Sequence, residues 1–86
     1  MKELERNLKA LANRRRLAIL AYLKKNKEAP VSEISGEIHL SFKATSKHLA
    51  VLAAIDIVEK EQRSSRVFYR LATHHRPAVR SIVSLL

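Results

Sequence analysis

The period of the apolar residues changes twice along this chain, and that change limits the fold more than any other feature. Up to Asp56 the apolar positions recur at helical spacing; over 57–62 and 66–71 they alternate with polar ones; after Pro77 the helical spacing returns. An alternating pattern cannot bury one face of a helix, nor a 3.6-residue pattern one face of a strand. The expected fold is therefore mainly α with one β-hairpin, in the order α-α-α-α-β-β-α, as a single domain over residues 1–86.

In the first helical segment Leu4, Leu8 and Leu11 form an apolar stripe. Asn13 breaks it and is a natural N-cap for a second helix through "RRRLAILAYLKK", because its side chain can accept the free N–H groups of the first turn. Leu17, Leu20, Ala21 and Leu23 are available there for a core. Lys24, Lys25 and Lys27 suit the negative pole of that helix. "NKEAP" reads as a loop. Ser32 is expected to cap a short third helix with Ile34 and Ile38 on its buried edge. Ser41 is expected to cap a fourth, residues 42–53, with Thr45, Leu49 and Leu52 inward. It stops near Asp56, a residue type that tolerates a left-handed terminal position. "RSS" joins the two strands; without glycine there, a loose loop is expected rather than a tight turn. Phe68 and Tyr69 alternate on the second strand, so one of the two faces the core. Pro77 can open the last helix at its first position.

A chain of 86 residues without cysteine has a modest core and no disulfide, so dimerisation is the remaining source of apolar burial. The stripes at the two ends, Leu4, Leu8 and Leu11 and then Val79, Ile82, Val83 and Leu86, are the expected homodimer interface. Seventeen Lys and Arg against eight Asp and Glu give a formal charge of +9, which calls for a polyanionic partner, nucleic acid before an anionic surface. The longest apolar runs, "LAILAYL" and "LAVLAAI", are far short of the ~20 residues that span a bilayer. The first residues are amphipathic and carry Glu, unlike a signal peptide, so a cytoplasmic protein with no membrane partner is expected. No Ser/His/Asp or Cys/His set, paired carboxylates or glycine-rich phosphate loop is present; neither an enzyme nor a cofactor is expected.

The fourth helix carries the functional signal. Its outer face, Lys43, Ser46, Lys47 and Ala50, is small, cationic and free of carboxylates. The major groove of B-DNA admits one α-helix, provided that its face can approach base edges. Two helices joined by a very short turn, the second bearing such a face, then a hairpin with Arg at its tip, make a winged helix-turn-helix. The candidate double-stranded DNA contacts are Ser41, Phe42, Lys43, Ser46, Lys47 and His48 on the helix, and Arg63, Ser64, Ser65 and Arg66 in the 62–66 wing. Phe42 has two readings, an inward staple or an apolar contact to a thymine methyl. His48 has two as well, a structural hydrogen bond or a base contact. Arg14, Arg15 and Arg16 are either a phosphate clamp or solvated charge.

The segments "LKALANRRRLAIL", "LSFKATSKHLAVL" and "VFYRL", in this order, resemble the ArsR/SmtB family of bacterial and archaeal transcriptional regulators over about residues 4–71. The resemblance implies a homodimer, packed through its first and last helices, that represses transcription by occupying a palindromic operator. The family's cysteine metal-sensing motif is absent: Pro30 and Ser32 stand where thiols would be, and neither is a soft-metal ligand. The family's other metal site, on the last helices, also lacks its ligands, since "PAVRSIVSLL" has no carboxylate and no His. No metal site is expected, although His74 and His75 are adjacent, because two ligands do not complete one. The sequence names no effector. The competing reading is a winged helix that binds protein or RNA without reading duplex DNA.

Overall fold

A computed structural model covers Met1–Leu86 and shows five helices and a three-stranded antiparallel sheet. The order is α1 (Lys2–Leu11), α2 (Arg14–Asn26), β1 (Glu28–Pro30), α3 (Val31–Glu37), α4 (Phe42–Ala54), β2 (Val58–Arg63), β3 (Arg66–Leu71) and α5 (Pro77–Ser84). Local chemistry sets most boundaries where the sequence puts them. Asn13 Oδ1 accepts the N–H groups of Arg15 and Arg16, each at 3.0 Å. Ser41 Oγ accepts from Ala44 N–H at 3.1 Å. Asp56 ends α4 with φ of 60°, and Pro77 opens α5.

Three local expectations fail, each for an identifiable reason. "NKEAP" is not all loop: Glu28–Pro30 pairs antiparallel with β3, Ala29 opposite Tyr69, giving the sheet order β1-β3-β2. Three residues ending in proline carry no alternation to detect, and proline is tolerated on an edge strand. α3 begins at Val31 behind Pro30, so Ser32 lies inside its first turn and caps nothing. The wing loop is tight: Arg63 pairs with Arg66 across two residues, and only Ser64 takes a positive φ, 57°. That is the sign pattern of a type II′ turn, here accepted by serine in place of glycine.

The core gathers one face from every layer. Ile19, Leu20 and Leu23 of α2, Ile34 of α3, Leu49 and Leu52 of α4, and Ile57, Val58 and Tyr69 by the sheet are buried together. Thr45 is fully enclosed among them and donates its hydroxyl to Ser41 O at 2.8 Å. Tyr22 Oη donates to Glu33 and ties α2 to α3.

The same core claims part of the expected dimer interface. Leu11, Val79 and Val83 are buried within the single chain, because α5 folds back against α1 and α2. Lys24 holds it there, donating to the carbonyls of Val83 and Ser84 at 3.2 Å each; it thus caps α5 rather than α2. Ile82 is half-buried against the core. Leu4, Leu8 and Leu86 remain 40%, 44% and 38% exposed.

Candidate nucleic-acid interface

The inward side of α4, Thr45, Leu49 and Leu52, is buried, and this fixes what the opposite side shows. Lys43, Lys47 and Ala50 are exposed, and Ser46 is half-buried beside them. Phe42 is 59% exposed, so it is not an inward staple. It lines a cleft of about 300 Å³ between the start of α4 and the wing, shared with Ser46, Lys60, Ser65, Arg66 and Tyr69. Lys60 is a cation that sequence reasoning missed as a site residue. Its signal was the strand alternation: the register puts it opposite Tyr69, on the side turned toward α4, away from the Glu residues.

The other side of the sheet is a ladder of charge. Arg63 meets Glu28 of β1 through two hydrogen bonds of 2.8 Å and Glu61 at 3.0 Å. Arg70 bridges Glu59 at 3.3 Å and Glu61 at 3.0 Å. The hydrogen bond from Arg63 is the main reason that the carboxyl groups of both Glu28 and Glu61 sit below the usual carboxylate range. The guanidinium of Arg63 also lies 4.5 Å from the centroid of Phe68. Arg63 is therefore folded back onto the sheet instead of projecting from the wing as expected. Its partner Glu28 belongs to the strand that the sequence concealed. Arg66 stacks on the same ring at 5.3 Å and makes no ion pair; with Ser64 and Ser65 it forms the exposed tip.

At the other flank of α4, Arg16 is neither clamp nor solvated charge. Its Nε donates to Ala10 O at 2.6 Å and Nη2 to Lys9 O at 3.4 Å, closing the C-terminal end of α1. Its Nη1 lies 3.2 Å from His48 Nδ1. His48 thus has the structural hydrogen-bond partner that one of its two readings required. Burial first, then the charges of Arg16 and Arg15, hold its pKa below the ordinary value. His75 Nε2 is 2.9 Å from Ile57 O, a structural contact, and nowhere do three His, Cys, Asp or Glu side chains converge as metal ligands would. No helix is long and apolar enough to cross a membrane.

The chain resembles proteins of known class over its whole length. Residues 13–60 match the family model described as bacterial regulatory protein, arsR family. The transcriptional activator HlyU of Vibrio cholerae is 38% identical over 100% of this chain and 82% of its own. A structure of reduced HlyU from that organism superposes with a TM-score of 0.83, covering 99% of this chain and 85% of that one. The homodimeric winged helix-turn-helix DNA-binding domain of Mb0332 from Mycobacterium bovis does so at 0.83, with 31% identity over 98% and 74%. The helix-turn-helix, its cationic face and these likenesses agree, and the chain belongs to the arsR family of DNA-binding transcription regulators.

Proposed function

We propose that the protein binds a palindromic operator as a homodimer and regulates transcription by occupying it, most simply as a repressor, from the cytoplasm. One observation carries this reading: the exposed face of α4 offers Lys43, Ser46 and Lys47 without a carboxylate, beside a cleft whose other wall holds Lys60 and Arg66. In the major groove, Lys47 reads base edges deep along the helix. Lys43 and Ser41, at its first turn, meet phosphate, where the helix dipole also favours an anion. Phe42 offers the only large apolar surface on that end, suited to a thymine methyl. Lys60 and Arg66 take the backbone that passes between helix and wing.

Dimerisation supplies the symmetry. The shallow groove formed by Met1, Leu4, Leu8 and Ala12 on α1 and the exposed Leu85 and Leu86 beyond α5 are the surfaces a second copy would cover. HlyU is named an activator, so the sign of regulation is for a transcription assay to decide. These 86 residues contain no cysteine, so thiol–disulfide chemistry is not open to them.

The test is selection of duplexes from a random library, followed by salt titrations of variants. A palindromic consensus is expected, with half-sites about 34 Å apart. Lys47→Ala should cost ~1–3 kcal/mol on the consensus and relax preference at one position. Lys43→Ala should weaken all sequences alike and lower the salt slope by about one. Unchanged affinity in a folded Lys43→Ala, Lys47→Ala variant would hand the face to the protein- or RNA-binding alternative.

A further inference from the structure

The contact between Arg16 and His48 determines more than packing. A guanidinium has only donors. Its Nη1 at 3.2 Å from His48 Nδ1 therefore requires Nδ1 to be the acceptor, so the imidazole carries its hydrogen on Nε2. That atom has no protein partner, yet no side-chain nitrogen is both buried and unpartnered, so Nε2 reaches the surface. His48 lies on the flank of α4 that Arg16 of α2 meets, where Arg15 also stands close enough to lower the His48 pKa. A further proton would have to displace Arg16 from Nδ1 and join two existing cations. The side chain is held as a neutral donor at the edge of the cationic face.

We propose that Arg16 is a positioning residue that fixes His48 as the Nε2–H tautomer, so that His48 donates a hydrogen bond to a phosphate of the DNA strand bordering the groove. The phosphate is favoured over a base because His48 lies off the outer face of Lys43, Ser46 and Lys47. The same guanidinium holds the carbonyls of Ala10 and Lys9, so one side chain joins the end of α1 to the DNA contact. The proposal rests on the placement of α4 in the major groove.

Its signature is specific. A neutral donor adds affinity on every sequence but releases no counterion of its own, unlike a lysine. Nitrogen-15 spectra of labelled histidine should show the Nε2–H tautomer in the free wild-type protein and a mixture of tautomers in Arg16→Met. His48→Asn keeps an acceptor near the Nδ1 position but loses the outward donor. It should bind consensus and random duplexes about 10-fold more weakly, with an unchanged salt slope. Arg16→Met should fall by a similar factor, and the double variant should fall no further. His48→Gln, which restores a donor near the Nε2 position, should recover much of the loss. Sedimentation and circular dichroism of each variant exclude loss of the dimer or the fold as the cause. The proposal is overturned if His48→Asn binds like wild type, if the two losses add, or if the free protein shows the Nδ1–H tautomer. Lys47→Ala separates this from the broader reading. If it weakens binding while His48→Asn does not, only the His48 contact fails. If neither matters, the placement of α4 fails with it.

Discussion

Gly36 is the only glycine, and it sits inside α3 with nothing within 4 Å of the place a Cβ would occupy. Meanwhile Lys27, His39, Asp56 and Ser64 all hold positive φ without being glycine. The backbone freedom of glycine is absent where turns need it and present where a helix loses by it. Gly36→Ala should therefore stabilise the fold by about 0.5–1 kcal/mol in urea denaturation. Lys27 is the most strained of the four positions: φ of 69° and ψ of −53° lie close to the rare form of the γ-turn. Lys27→Gly should add about 1 kcal/mol, the lower end of what such strain costs. A rise in midpoint at constant denaturant slope is the expected result; a fall for Lys27→Gly would show that the position carries no strain. Asp56 was recognisable beforehand because aspartate tolerates this conformation. Lys27 was not, because nothing in the chemistry of lysine favours a positive φ.

Among the elements, the sheet with its wing carries most of the ion pairs. β1, β2 and β3 are tied across their outer face by Arg63 to Glu28 and Glu61, and by Arg70 to Glu59 and Glu61. These side chains are roughly 40% exposed, so the ties are screened by salt, and single surface pairs contribute little. As a network with a two-pronged Arg–Glu pair at its centre, they link the hairpin to β1 across the outer face. Glu28 and Glu61 have depressed pKa values when folded. A depressed carboxyl contributes stability that is fully present above its unfolded pKa and is lost as pH falls through its folded value. Relative to intrinsic exchange, protection of the β2 and β3 amides should therefore fall on acidification below the ordinary carboxylate range, and Glu28→Gln should flatten that dependence. Arg63→Ala should loosen the wing even without DNA, where Arg66→Ala should not. Equal exchange in the two variants would mean that Arg63 does not hold the sheet.

For the whole molecule the question is which apolar surface a second copy would take in the proposed homodimer. The monomer already buries Leu11, Val79 and Val83. It leaves Leu4 and Leu8 in a groove on α1, and Leu85 83% exposed past α5. Leu4→Glu with Leu8→Glu should give a folded monomer by sedimentation and circular dichroism, with loss of operator binding. Val79→Glu should instead unfold the chain, because it buries a charge with no partner. A Leu4→Glu, Leu8→Glu protein that still sediments at twice the chain mass would move the interface elsewhere.

What the sequence determined by itself are features whose causes are local. The caps at Asn13 and Ser41 follow from side chains that reach their own backbone within three residues. The proline start of α5 and the inward set Thr45, Leu49 and Leu52 follow from geometry carried by each residue. The cationic face of α4 was legible for the same reason: once one side of a helix is apolar, the other side is known. What only the tertiary structure decided are features made by residues far apart in the chain. β1 exists because β3 is there to pair with it, and three residues do not hold a strand alone. Arg63 turns back because Glu28, 35 residues away, waits on that strand. Arg16 meets His48 across 32 residues. Leu11, Val79 and Val83 were correctly read as apolar stripes, but a stripe does not say what covers it. Here the chain's own α2 and core cover those residues before any partner can.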